Sequence, residues 1–239
     1  MLGVIGGMSW ESTLLYYRLL NQGVVARLGG LHSARLLLHS VDFAPLAAQQ
    51  AAADWGGAAA VLAEAAGGLR AAGAQGLVLA TNTMHKVAPA IEAAAGLPLL
   101  HIADATGAAL AAAGVRRAGL LGTRFTMEDT SIVQDRLRER FGLQLLVPAA
   151  EGRAEVHRII YDELCRGVIT ETSRAACRRL IEGLGARGAE GVILGCTEIT
   201  LLVGATDSPL PCFDSTALHA AAAVDWMLGE DSPQGDETP

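Results

Sequence analysis

Cys196 lies in Gly195-Cys196-Thr197-Glu198, directly after the buried-type run Gly191–Leu194. A helix starting there would aim backbone N–H groups and its positive dipole end at the sulfur, which favours a thiolate and hence a base or nucleophile. The plainer alternative is a buried cysteine acting as a small hydrophobe. Cys165, Cys177 and Cys212 lack that setting and read as structural. Thr81-Asn82-Thr83 follows a second such run and offers two hydroxyls, an amide and backbone N–H groups, a donor set suited to a carboxylate. Capping of the next helix by Asn82 or Thr83 is the competing use. Thr123 ends a third run and carries the same two readings. His85 and Lys86 read as helix-surface residues. Lys86 is the single lysine and so the one possible anchor for a Schiff-base cofactor, but no phosphate loop or pyridine partner accompanies it. Gly3-x-x-Gly6-Gly7 is neither a GxGxxG nor a Walker A motif, and Met8-Ser9-Trp10-Glu11 puts bulk where a pyrophosphate would approach. Close approach of backbone to a small ligand is what those glycines still allow.

These residues need elements to hold them. Short Leu- and Val-rich runs alternate with longer alanine-rich stretches, and glycines punctuate the joins, the pattern of a parallel-sheet α/β protein. Strands are expected at Leu2–Ile5, Arg35–Val41, Gly76–Ala80, Leu97–His101, Ala118–Leu121, Leu143–Val147, Gly191–Leu194 and Leu210–Phe213. Helical spacing joins Leu14, Tyr17, Leu20, Val24 and Leu28, and again Val61, Leu62, Ala65 and Leu69 before Gly73.

The chain also repeats itself. Gly73–Thr81 matches Gly188–Cys196 at an offset of 115, with four identities in nine positions. Gly3–Gly7 answers Gly119–Thr123 at 116, and Leu97-Pro98 answers Leu210-Pro211 at 113. Three collinear matches at nearly one offset point to a duplicated α/β half, with the join near Asp104–Val115. Open α/β sheets bind ligands at the carboxyl ends of their strands. A pseudo-two-fold would therefore set Thr81 and Cys196 on opposite sides of a shared cleft.

Composition narrows the classes. The chain has 239 residues, 51% hydrophobic and 18% charged, enough for one large or two small globular domains. Every apolar stretch is broken well short of the ~18–20 residues of a membrane span. No basic region precedes the apolar N-terminus, which reads as a strand and not a secretory signal, so a cytoplasmic location is expected. A net charge of −7 without Lys/Arg clusters argues against nucleic acid or an anionic membrane as partner and leaves a small molecule. Four cysteines without a CxxC pair suggest neither a disulfide scaffold nor a metal site. Residues 229–239 are acidic and without apolar anchors, and are expected to form a disordered tail.

Gly6-Gly7-Met8-Ser9-Trp10-Glu11-Ser12-Thr13, Thr81-Asn82-Thr83-Met84-His85-Lys86, Leu120-Leu121-Gly122-Thr123 and Gly195-Cys196-Thr197-Glu198 together make the chain resemble the PLP-independent aspartate/glutamate racemase family over about residues 1–228. The Met-Ser-Trp-Glu and Thr-Asn-Thr-Met-His-Lys variants look like its broad-specificity amino-acid or L-aspartate/glutamate-specific racemases. The resemblance implies two similar Rossmann-like α/β domains with parallel sheets, related by a pseudo-two-fold, and an active site in the cleft between them. The corresponding division is 1–104 plus 213–228 and 105–212. It also implies catalysis without cofactor or metal, and a homodimer.

Family members use two cysteines facing each other across the substrate α-carbon; those positions fall here on Thr81 and Cys196. By resemblance, Cys196 takes the α-proton of an L-amino acid and the Thr81 side returns one to the other face. A threonine hydroxyl is a far weaker proton acceptor than a thiol, so return from the D-enantiomer should be slow. Asn82, Thr83 and Thr197 would stabilise the carbanion, with Thr123 and the backbone at Met8 completing the pocket. Positions that bind a distal carboxylate through cations fall near Gln50 and Cys165, with Arg166 adjacent. Gln50 carries no charge, which widens the substrates from Asp and Glu to other polar amino acids such as homoserine. Two other readings are a single-cysteine decarboxylase or isomerase of a small dicarboxylate, and a non-catalytic amino-acid-binding protein.

Overall fold

The computed structural model describes residues 1–229; the rest of the expected tail, 230–239, lies outside the described residues. In chain order the elements are β1 (Leu2–Gly6), α1 (Trp10–Leu28), β2 (Leu36–Ser40), α2 (Phe43–Ala51), α3 (Trp55–Ala71), β3 (Gly76–Leu79), α4 (Ala88–Ala95), β4 (Leu99–Leu100) and α5 (Ile102–Ala112). There follow β5 (Arg117–Gly122), α6 (Arg124–Glu128), α7 (Gln134–Phe141), β6 (Gln144–Leu146), α8 (Ala150–Arg158), α9 (Glu171–Ala186), β7 (Gly191–Gly195), β8 (Cys212–Asp214) and α10 (Ser215–Leu228). They build two four-stranded parallel sheets, ordered β2-β1-β3-β4 and β6-β5-β7-β8.

The two sheets carry the repeat in their register. Leu2 pairs with Gly76 in the first and Ala118 with Gly191 in the second, offsets of 116 and 115. Leu77 pairs with Leu99 and Val192 with Cys212, offsets of 115 and 113. Pro98 and Pro211 lack an N–H, so β4 and β8 begin only after them, later than expected. Both proline carbonyls still accept a neighbour's N–H, from Leu77 and Val192. The inner strands β1, β3 and β7 are buried along their whole length, as parallel strands covered on both faces must be.

Helix α1 corrects one expectation. Leu20 and Val24 are buried, but Leu14, Tyr17 and Leu28 are about half exposed, and the inward row is Ser12, Thr13, Tyr16, Leu20 and Val24. Helix α10 decides this by returning from the far end of the chain to pack on α1. Gly23 permits that contact, since a Cβ there would stand 2.7 Å from a Val224 methyl. Ala220, Ala223 and Val224 join Leu20 and Val24 in one apolar cluster. Among the described residues no helix is long and apolar enough to cross a membrane.

Candidate active site

The carboxyl ends of the inner strands face one another across a cavity of about 40 Å³. Thr81, Cys196, Met8, Gln50, Asn82, Thr83, Thr123 and Thr197 all line it; Arg166 does not. The chain reaches this geometry through tight turns. Gly7 has φ +96°, and a Cβ there would lie 2.1 Å from the Val41 carbonyl oxygen, so only glycine lets β1 turn beside β2. The Gly7 N–H donates to Thr13 Oγ1 at 2.7 Å, which ties the turn to α1. Ser9 caps α1 by accepting the Ser12 N–H.

On the β7 side, Cys196 is extended and leads into a 3-10 turn, Thr197–Leu201, where an α-helix start was expected. The turn folds Glu198 back onto the cysteine. Cys196 Sγ donates to Glu198 Oε2 at 3.0 Å, Thr197 Oγ1 donates to the same oxygen at 2.6 Å, and Ser9 Oγ donates to Oε1 at 2.7 Å. Ser9 therefore serves both the α1 cap and the acid. Burial, reinforced by the Glu198 carboxylate, pushes the Cys196 thiol well above the ordinary cysteine range. The setting differs from the one expected: burial and the adjacent carboxylate both disfavour a resting thiolate. Burial likewise pushes the Cys165 thiol up to about 12.

The β3 side is built differently. Among the described residues nothing hydrogen-bonds the Thr81 hydroxyl, while the Thr81 carbonyl accepts from His85 Nδ1 at 2.8 Å. Nε2 of His85 accepts the Ile102 N–H at 3.3 Å, which fixes the proton on Nδ1. His85 is buried, not on a helix surface, and its ring stands 4.5 Å from that of His101 and 5.7 Å from that of His219. Burial, with the neighbouring imidazoles, holds the His85 pKa well below the usual histidine range. His219 donates Nε2–H to the Leu100 carbonyl at 2.7 Å and accepts the Tyr16 hydroxyl at Nδ1 at 2.8 Å. Lys86 pairs with Asp129, touches Ser131 Oγ at 3.0 Å and stands 5.2 Å over the Trp55 ring, so it clasps the two halves and does not line the cavity.

Polar donors close the floor. Thr83 Oγ1 lies 3.2 Å from both Thr123 Oγ1 and Thr126 Oγ1, and the latter two are 3.1 Å apart. Thr123 also caps α6 by accepting the Thr126 N–H, so the capping use and the cavity-lining position coexist. Asn82 caps nothing with its side chain; its amide donates to Ser215 Oγ at 3.2 Å, which donates to the Leu194 carbonyl at 2.9 Å. Gln50 is buried; its Nε2 makes no hydrogen bond within 3.5 Å, and its amide interacts weakly with the Tyr161 hydroxyl. Phe43, Ile160, Tyr161 and Cys165 complete the wall, and among the described residues no lysine, arginine or histidine lines the cavity. Ser9, Glu198 and Tyr161 were not singled out from sequence. A glutamate two residues after the strand-end cysteine was the available signal for the acid.

The residues 5–223 match the family model for Asp/Glu/hydantoin racemases. A Yersinia pestis structure described as a candidate Asp/Glu racemase is similar at 56% identity, with a TM-score of 0.89 over 95% of this chain and 98% of that one. A Pyrococcus horikoshii structure, described as an aspartate racemase homologue, is 32% identical with a TM-score of 0.80 over the same shares. Glutamate racemase from Francisella tularensis, in complex with D-glutamate, shares the fold at 14% identity and a TM-score of 0.62, over 99% of this chain and 84% of that one. With paired parallel sheets, a cleft between their strand ends and a family match along nearly its whole described length, the chain belongs to the Asp/Glu/hydantoin racemase family.

Proposed function

We propose that the protein is a cofactor-independent amino-acid racemase in which Cys196 removes the α-proton of an L-amino acid and the Thr81 side returns a proton to the opposite face. The observation that carries this is the hydrogen bond from Cys196 Sγ to Glu198, set across the cavity from Thr81 at the equivalent strand end. Glu198 is the group that can take the thiol proton. Once it does, the sulfur is a thiolate facing the substrate, and the raised affinity of that sulfur for a proton makes it the stronger base. The charge that develops on the substrate carboxylate faces Asn82, Thr83, Thr123 and Thr197, which line the cavity, and each threonine hydroxyl donates there by giving up its present hydrogen bond.

The side-chain end of the cavity supports a neutral polar substrate over Asp or Glu. It holds a poorly paired buried donor, Gln50 Nε2, beside Tyr161, and among the described residues no cationic side chain. A buried donor left wholly unpaired costs on the order of 1–3 kcal/mol, and a hydrogen-bond acceptor on the substrate would relieve the part of that cost the weak Tyr161 contact leaves. A second carboxylate would instead face Glu198 without a counter-charge. Gln50→Arg is expected to raise the preference for L-Asp over L-homoserine, read as a ratio of kcat/KM values.

The test is incubation of the purified protein, without added PLP, with L- and D-enantiomers of Asp, Glu and homoserine in D₂O. NMR follows α-proton loss and chiral chromatography follows inversion. Exchange mainly from the L-side, lost in Cys196→Ser and extended to the D-side in Thr81→Cys, is the expected result. Saturable binding without exchange would overturn it and leave an amino-acid-binding protein. Release of CO₂ would point instead to a decarboxylase.

A further inference from the structure

Behind the cleft lies a second cavity, of about 90 Å³, lined by Glu11, Ser12, Leu14, Leu15 and Arg18 of α1 and by Leu201. It shares two residues with the substrate cavity, Thr197 and Glu198, which form the wall between them. Its rim is open to solvent, since Leu14 and Leu201 are each 47% exposed and Arg18 is exposed. A water needs roughly 10–15 Å³ and two or more polar partners, so this space, with carboxylates and a guanidinium in its wall, can hold several. The buried Glu198 is thus bonded to the Cys196 thiol on one side and borders a cavity large enough for water on the other.

Proton accounting gives that arrangement a purpose. Before turnover the Cys196–Glu198 pair holds one proton between two bases. In abstraction the α-C–H bond breaks, its electron pair stays on the substrate carbon, and the proton goes to the sulfur while the earlier proton sits on Glu198. The pair now holds two. The Thr81 side has given one up to the other face and is one short. Neither site can repeat the reaction until the extra proton leaves and the missing one returns, and a bound amino acid closes the cleft route to water.

We propose that Glu198 is a two-sided proton carrier, which discharges the proton taken through Cys196 into the water of the second cavity while substrate still occupies the cleft. This rests on the racemase reading above. The proton passes from the Glu198 carboxyl to water and leaves as hydronium, and the carboxylate is restored. No oxidant or further reactant is involved.

The consequence is readable in D₂O. A pair closed to solvent holds one solvent deuteron and one substrate proton after abstraction, so at most one return to the L-enantiomer in two carries deuterium; exchange with solvent while the carbanion is bound raises that share, without inversion. The ratio of α-deuterated L-substrate to D-product then measures exchange against inversion. Leu14→Trp and Leu201→Trp each put an indole at the mouth of the second cavity without touching the substrate cavity. Both are expected to lower this ratio about twofold or more with kcat/KM for inversion unchanged, while Leu201→Ala, which widens the mouth, keeps or raises it. A ratio unchanged in both tryptophan variants, each shown by circular dichroism to be folded, would overturn the second exit. Glu198→Gln separates the two levels: loss of exchange and inversion together supports the base pair itself, whereas wild-type exchange in that variant would remove the racemase mechanism and the carrier with it.

Discussion

The ends of β3 and β7 occupy equivalent places in two copies of one fold, yet they are chemically opposite. At β7 the functional atom has a partner: Cys196 Sγ is bonded to an acid that three donors hold in place. At β3 the side chain is free and the backbone is tied, with the Thr81 carbonyl held by His85 and a buried layer of neutral imidazoles behind it. The shared scaffold fixes where the two groups stand. What stands behind each differs: an acid beside the thiol at one end, a histidine behind the threonine carbonyl at the other.

The largest effect tests that inequality directly. Cys196→Ser is expected to lower α-proton exchange from the L-enantiomer by about 10²–10⁴-fold, the usual worth of a positioned base. Thr81→Ala should leave L-side exchange within a few-fold of wild type while inversion falls. Equal losses in the two variants, measured by NMR in D₂O, would erase the distinction between the ends.

Acid should find the β3 end first. Burial holds His85 well below the usual range, His101 at about 3 and His219 at about 4, so each is neutral in the folded chain and protonates near 6.5 when unfolded. Between pH 6.5 and about 4 the unfolded chain binds more protons, and stability falls as pH falls, by up to about 1.4 kcal/mol per pH unit for each group. Urea midpoints across that window measure the slope, and His219→Gln should flatten it. A slope unaltered by this substitution would detach the imidazole layer from acid lability.

The smallest effect concerns the clasp between the halves. Lys86 and Asp129 are both partly exposed, so Lys86→Met should cost no more than about 1 kcal/mol of stability by urea unfolding. A larger loss would mean that the Trp55 contact carries weight beyond the ion pair.

Much of the frame was legible because a duplicated strand leaves its offset in the sequence. The 113–116 spacing of Gly3–Gly7, Gly73–Thr81 and Leu97-Pro98 with their counterparts reappears as backbone pairing, and it led to Thr81 and Cys196. Partners that come from far along the chain left no such trace. Leu14 and Tyr17 have the right spacing for a core stripe, but helical period alone cannot say which of two apolar faces α10 will cover. His85 looked like a surface residue because its acceptor, its donor and its ring neighbours come from three separate segments. Glu198 was hidden by the assumption that a helix follows Cys196. In the 3-10 turn that actually forms, its carboxylate comes round to the sulfur two residues before it.

The three threonine hydroxyls beneath the cavity form a closed triangle with sides of 3.1–3.2 Å, one corner from the first half of the chain and two from the second. Three hydroxyls bring three protons, and three sides consume them all. An arriving carboxylate can be bound there only by opening a side, exchanging a neutral link for a stronger charge-assisted one. Two of the three sides join the halves, so this exchange can unfasten one half from the other at the moment the ligand becomes the new fastener. The amino acid would then act as a keystone, and how tightly the arch closes would report how much charge its carboxylate carries.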